Sequence, residues 1–418
     1  MTPESAGSDN GIRPQPRVVK SALRRANLSD SFVVGKYSFS PYMACEHGCV
    51  YCDGRAERYY VDGDFERDII VRTNLPGLLA HELPRLREKG FVSIGSGISD
   101  AYQPIEARER IMARCAHVLA EHDHPATLMT KSSLALRDVD LWARVNERSR
   151  FVFLVSLTHA GDETRRVWEP RASSVDQRLA ALRRFKEAGC ATGVLAMPLL
   201  PGITDTEENL ELLYDRVLDA GVDFIMPSGL TLRPGRQKEF FMHHLGTHRP
   251  DLVALYTDLY SEERPSGVPI ASHQKELYAR LLEWNRATGL PWLLPHHIYA
   301  GQLHKYDEVN VLLHHMVELY RSRGISTSPL ETGMKRYLQW IDGRKAEYNR
   351  HRSWRYEDLD CELIALCRQQ NAAGAEAETL GSVIGNTKLA QFIGQVVREG
   401  DLFDYVNLRL KPNPASLD

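Results

Sequence analysis

The stretch Cys45-Glu46-His47-Gly48-Cys49-Val50-Tyr51-Cys52 constrains this chain more than any other. Three cysteines fall within eight residues, spaced C-x3-C-x2-C. We read the stretch as a loop wrapped around something that the thiols hold. Thiolates are soft ligands, and three converging ones suit an iron–sulfur cluster. A cubane held by three cysteines keeps one iron open to a small molecule. Gly48 fits such a wrap, because glycine takes positive φ and lets backbone approach closely. The alternative is a structural zinc site, which takes four protein ligands, and here His47 is the nearby candidate for the fourth.

With the aromatic Tyr51 before the last cysteine, the motif resembles the signature of the radical S-adenosylmethionine (SAM) enzymes. The flanking Ser40-Pro41-Tyr42 and Glu46-His47-Gly48 resemble the branch related to spore photoproduct lyase. The resemblance runs over residues 36–235. It implies a [4Fe-4S] cluster on Cys45, Cys49 and Cys52, with SAM bound through its amino and carboxylate groups to the open iron. In that superfamily, reduction cleaves SAM to methionine and a 5′-deoxyadenosyl radical, which takes a hydrogen atom from substrate. The electron comes from a flavodoxin or ferredoxin-type donor.

Composition sets wider bounds. Of 418 residues, 43% are hydrophobic and 26% charged, as in an ordinary globular protein with a large core. No apolar run approaches the length of a membrane span, and the polar, proline-containing start has no signal-peptide core. A net charge of −3 gives no global pull toward nucleic acid, although a local basic groove stays open. Beyond the motif, Cys115, Cys190, Cys361 and Cys367 are scattered and make no disulfide framework. Reduced thiols point to a cytoplasmic protein, and four scattered cysteines point to a single cluster.

Along the chain, residues 1–30 read as a flexible tail. Residues 31–235 alternate short apolar runs with helical patterns. Strands are expected at Tyr37–Tyr42, Phe91–Gly95, Thr127–Thr130, Phe151–Leu157, Ala191–Met197 and Phe224–Pro227. Helices are expected at Leu75–Lys89, Glu106–Glu121, Leu134–Asn146, Ser174–Ala188 and Thr204–Ala220, the last two opened by capping boxes Ser174-x-x-Gln177 and Thr204-x-x-Glu207. Parallel strands need crossover helices, so the pattern predicts an α/β fold, an open (β/α)6 partial barrel. Residues 236–329 read as a helical segment that closes the barrel, and 330–418 as a helical C-terminal module. The adjacent pairs His243-His244, His296-His297 and His314-His315 read as ordinary surface or core histidines, because neighbours on a helix point different ways.

In such barrels the site lies at the carboxyl ends of the strands. Gly95-Ser96-Gly97-Ile98-Ser99-Asp100 follows the second strand, and its Ser96, Ser99 and Asp100 can hydrogen-bond an ammonium or a ribose. In the lyase-like branch a Ser/Thr-Asp followed by Pro-x-Glu stands here, near SAM. The resemblance also assigns SAM contacts to Lys131 after the third strand, to Ser156 at the end of the fourth and to Tyr51 in the motif. Arg171, in a Glu-Pro-Arg resembling the family's, can bind a carboxylate or ribose; the alternative is a surface salt bridge to Glu169.

The lyase has a tyrosine straight after its last cluster cysteine and a hydrogen-donor cysteine before the Ser/Thr-Asp. Here Asp53 and Gly97-Ile98 occupy those places. We therefore expect a radical SAM enzyme acting on a small-molecule or nucleoside-like substrate, with Tyr51 and Asp53 as catalytic candidates and Asp53 able to bind substrate or act as a base. The alternatives are a DNA photoproduct repair lyase and a non-catalytic iron–sulfur protein.

Overall fold

The computed structural model describes residues 11–28, 32–95, 97–351, 354–368 and 378–413. Two short strands come first, β1 (Gln15–Arg17) and β2 (Arg24–Arg25). β3 (Gly35–Phe39) starts a parallel run, interrupted by β4 (Tyr42–Met43) and β5 (Ile70–Arg72) in a side sheet with β1. The run continues through β6 (Phe91–Ile94), β7 (Ala126–Thr130), β8 (Phe151–Ser156), β9 (Ala191–Leu199) and β10 (Phe224–Gly229). The main sheet is ordered β10-β9-β8-β7-β6-β3-β2. Each parallel strand lies beside its predecessor, as βαβ units require, and β2 adds an antiparallel edge. The sheet stays open between β10 and β2. This is the expected α/β partial barrel with its mostly helical C-terminal extension.

The strands form where apolar, β-branched and aromatic residues run unbroken. β8 reads Phe-Val-Phe-Leu-Val-Ser and is buried on both faces until its last residue. Its outer face, Phe151, Phe153 and Val155, packs with Leu179, Leu182 and Phe185 of the helix Val175–Glu187. Its inner face, Val152 and Leu154, joins Leu195 and Met226. Val33 and Val34 from the N-terminal side, with Leu294 and Ile298 from beyond the sheet, fill that interior. The segment around His296 thus packs inside the barrel, away from its mouth. His296 itself is a satisfied core residue: Nε2 lies 3.0 Å from Glu308 Oε1, and Nδ1 accepts from Phe403 N at 3.0 Å.

Four expectations are corrected. Residues 12–28 are no flexible tail: β1 pairs with β5, β2 pairs with β3, and Asn74 exchanges hydrogen bonds with the Val19 backbone. The helix expected from Glu106 to Glu121 breaks at Arg110, where φ is +49°. Beyond the break, the Glu106 carboxylate accepts from Ile111 N and Met112 N and caps a fresh helix. The helix from Leu75 ends at Glu82, because Pro84 cannot continue it and a 3-10 turn follows. Thr206, rather than Thr204, caps the helix Glu207–Asp219. The Thr204 hydroxyl is already taken by Leu200 N at 2.7 Å. The capping box predicted at Ser174 and Gln177 is present in full.

A second hydrophobic core runs from Tyr306 through Tyr405 and gathers the C-terminal helices with a hairpin, β11 (Leu402–Asp404) and β12 (Arg409–Lys411). It meets the barrel at a buried charged joint of Lys36, Glu88 and Asp307. Among the described residues no helix is long and apolar enough to cross a membrane.

Candidate active site

The cysteine loop follows β4 and is held by its backbone. A spacing of i, i+4, i+7 also fits one face of a helix, but left-handed φ values at Ala44 (+66°) and Gly48 (+65°) exclude one. Instead Gly48 N reaches back to Cys45 O and Cys52 N to Cys49 O, in successive turns. A Cβ on Gly48 would stand 2.5 Å from Arg171 Nη2, so glycine is needed there for a side chain packed behind the loop. Buried side chains bind the loop's carbonyls and amides from outside. Arg55 donates to Cys49 O (3.0 Å) and Gly48 O (3.2 Å). Gln103 donates to Ala44 O and accepts from Glu46 N. Gln237 donates to Tyr51 O at 3.1 Å.

With the backbone anchored, all three cysteines line one cavity of about 720 Å³ at the carboxyl ends of the strands. None is in a disulfide. Burial raises all three thiol pKa values, Cys49 to about 12 with Glu169 adding to it. The metal-free thiols are therefore protonated near neutrality, and a metal that takes them as thiolates displaces protons. Among the described residues no group of three or more His, Cys, Asp or Glu side chains is gathered closely enough for one metal ion. Three cysteines on one cavity fit an iron–sulfur cluster in the chemistry of their soft thiolates.

The remaining predicted residues divide into three groups. Lys131 and Ser156 line the cavity. The Lys131 ammonium lies 5.7 Å from the Tyr51 ring centroid, and none of the described ion pairs engages it. Ser99 and Asp100 also line the cavity, yet their side chains brace the frame. Ser99 Oγ donates to Ala44 O at 3.1 Å. Asp100 accepts from Thr130 Oγ1 (2.6 Å) and Lys131 N (2.7 Å), which fixes the base of Lys131. His47 Nδ1 lies 3.4 Å from Asp100 Oδ2 without a hydrogen bond, and burial lowers its pKa. Gly95 lets β6 end this close to β7: its φ is +94°, and a Cβ there would meet Met129 O at 2.9 Å.

Two assignments are corrected and one falls outside. Arg171 does not line the cavity; its guanidinium donates to Glu46 O and pairs with Glu66 behind the loop. Asp53 does line it, but its carboxylate is committed: Arg233 Nε donates to one oxygen at 2.7 Å and Tyr59 to the other. Both Asp53 carboxylate oxygens therefore carry a partner. Ser96 lies outside the described residues.

Tyr51 is buried, with its hydroxyl turned from the cavity to Glu169. Glu169 pairs with Arg178 rather than with Arg171, and both are fully buried. Burial alone would raise the Glu169 carboxyl, but Arg178 and Lys131 outweigh it and hold the group below the usual range. Sequence reasoning missed Arg178, Gln103, Gln237 and Arg233. Of these, Gln103 lies in the stretch after β6 and Arg233 in the stretch after β10, the strand-end positions where site residues are sought.

The family model described as the radical SAM superfamily matches residues 39–213, from β3 into the helix before β10. An uncharacterised protein of Mycobacterium tuberculosis is 31% identical over 256 residues, covering 60% of this chain and 74% of that protein. The chain belongs to the radical SAM superfamily. An uncharacterised protein of Methanocaldococcus jannaschii is 29% identical over 175 residues, covering 41% of this chain and 63% of that one. Among solved structures, a spore photoproduct lyase variant with bound AdoMet and dinucleoside spore photoproduct matches with a TM-score of 0.50. Its identity is 18%, over 66% of this chain and 79% of that chain, and this likeness is one of fold. As a radical SAM enzyme, the chain uses an iron–sulfur cluster and SAM.

Proposed function

We propose that Cys45, Cys49 and Cys52 hold a [4Fe-4S] cluster with one iron left to SAM, and that the enzyme abstracts hydrogen from a small-molecule or nucleoside-like substrate. One observation carries this: Cys45, Cys49, Cys52, Lys131 and Ser156 all line the same cavity. Bound there, the cluster and SAM would supply, on one electron from a flavodoxin or ferredoxin-type donor, a 5′-deoxyadenosyl radical split from SAM with methionine as the other product. Lys131 pairs with the SAM carboxylate and Ser156 donates a hydrogen bond beside it. The Tyr51 ring walls the space below Lys131. Asp53, clamped by Arg233 and Tyr59, shapes the chain after Cys52 instead of moving a proton. A volume of about 720 Å³ falls within the range of pockets for single small ligands, roughly 300–1,000 Å³.

The test is SAM binding and cleavage. Purified without oxygen and given dithionite, the protein is expected to release 5′-deoxyadenosine slowly without substrate. Lys131→Ala is expected to weaken SAM binding by about 1.5–3 kcal/mol, the worth of a hydrogen bond to a charged group. Unchanged affinity in that variant removes Lys131 from the site.

The lyase-like fold raises photoproduct repair as a second reading. Repair by the lyase's route needs a thiol to return a hydrogen atom. Among the described residues the only cysteines on the cavity are the three of the loop. Cys115 and Cys190 are buried in the outer core, Cys367 is buried in the C-terminal core, and Cys361 is exposed. We expect no restored thymines when anaerobic enzyme, SAM and reductant meet a dinucleotide spore photoproduct. Repair faster than uncoupled SAM cleavage would establish the second reading instead.

A further inference from the structure

A cluster of buried ionisable groups lies behind the cysteine loop, outside the cavity. Glu169 and Arg178 are both fully buried and paired. Tyr51, between two of the cysteines, donates its hydroxyl to the same carboxylate. Arg178 reaches further: Nη1 donates to Ser156 O at 2.9 Å and Nε to Ser173 O at 2.8 Å. Ser173 N in turn donates to Lys131 O at 3.2 Å. The backbone around Glu169 pairs with the cysteine loop twice, Val50 N to Trp168 O and Arg171 N to His47 O. One ion pair thus connects the loop, the end of β8 and the turn that carries Lys131. Burying such a pair adds little to stability over an apolar pair of the same volume, so its placement calls for another reason.

We propose that Glu169 and Arg178 are positioning residues of the cluster site. Through Tyr51 they hold the cysteine loop in register with Lys131 and Ser156, and their opposite charges set the reduction potential of the cluster. This rests on the reading that the three cysteines hold the cluster. The electrostatic part follows from the sign of Coulomb's law: a nearby negative charge disfavours the reduced cluster and a positive one favours it. Tyr51 adds no charge to that balance, because it meets the Glu169 carboxylate as a hydrogen-bond donor.

The experiment uses the anaerobic, iron-loaded full chain and two readings: the cluster's reduction potential by EPR-monitored titration, and the SAM dissociation constant by equilibrium dialysis. Glu169→Gln is expected to make the potential less negative, and Arg178→Gln more negative. A role in packing alone would move both the same way or neither. Tyr51→Phe keeps both charges and cuts only the link, so its potential stays put while SAM binding weakens about three- to tenfold, the worth of one hydrogen bond. The double variant Glu169→Gln/Arg178→Gln returns the potential toward the wild-type value with SAM binding still weakened, and it serves where a single variant does not fold. The proposal is overturned if the two single variants shift together, if Glu169→Gln leaves the potential unmoved, or if the double variant moves it as far as a single one. Iron content separates the two levels. Wild-type protein that binds no iron through the loop overturns the cluster reading, whereas iron-replete variants with unshifted potentials overturn only this inference.

Discussion

The Cys45→Ala/Cys49→Ala/Cys52→Ala variant is expected to purify without oxygen as a colourless protein, to hold no iron and to release no 5′-deoxyadenosine. Each single substitution should also abolish SAM cleavage, because a cubane that loses one thiolate exposes a second iron. The fold should survive. The loop is held by Arg55, Gln103 and Gln237 through its backbone, while Cys52 Sγ, 3.7 Å from Gly97 O, makes only one long contact. Circular dichroism and thermal unfolding of the metal-free forms are therefore expected to coincide with metal-free wild type, which separates loss of chemistry from loss of structure. If the triple variant keeps wild-type iron, the ligand assignment is wrong. A loss of iron with an equal loss of helix content would make the cysteines structural instead.

The parallel sheet was legible in the sequence because its strands are buried on both faces. Such strands must be continuous apolar runs, and Phe151–Ser156 looks like nothing else. Lys131 and Ser156 were picked out by the resemblance, and both stand at the carboxyl end of a buried strand, on the cavity. Side chains whose direction is set from far away were not legible. Arg171 turns from the cavity because Glu66, a hundred and five positions earlier in the chain, takes its guanidinium. Asp53 is neutralised by Arg233, a hundred and eighty positions later. The strands Gln15–Arg17 and Arg24–Arg25 are exposed along their whole length, so no hydrophobic alternation announces them; β5 and β3 supply the pairing. Charged residues in the barrel wall gave no sign of the joint either. Lys36 and Glu88 look like ordinary surface charges until Asp307 arrives from the C-terminal core.

That joint supports the second large prediction. The Glu88 side chain is 1% exposed and Lys36 3%. Glu88 receives Lys36, Arg25, Lys345 (3.2 Å) and the Tyr306 hydroxyl (3.1 Å), while Asp307 receives Lys36 and Lys345 (3.5 Å). Burial alone would raise the Glu88 carboxyl, but the charges of Lys36, Lys345 and Arg25 outweigh it and bring its pKa down to about 2. A carboxylate with a lowered folded pKa adds stability above its unfolded value, and that stability fades as pH falls through the folded one. The window here runs from 4.5 down to about 2, and a drop of about 2.5 units corresponds to roughly 3 kcal/mol. Glu88→Ala is expected to cost about 3 kcal/mol at neutral pH, because Lys36 and Lys345 are left to share the one buried carboxylate of Asp307. Lys36→Met/Glu88→Leu should recover most of that loss, because Asp307 keeps Lys345 and the vacated volume is filled. Hydrogen exchange resolves the effect better than a melting point in a chain with two cores. Protection should fall first in the helix Lys305–Arg321 and in β3, which carries Lys36 and leads into the cysteine loop. Glu88→Ala within about 0.5 kcal/mol of wild type, the range of ordinary surface substitutions, would show that the joint does not hold the C-terminal core to the barrel.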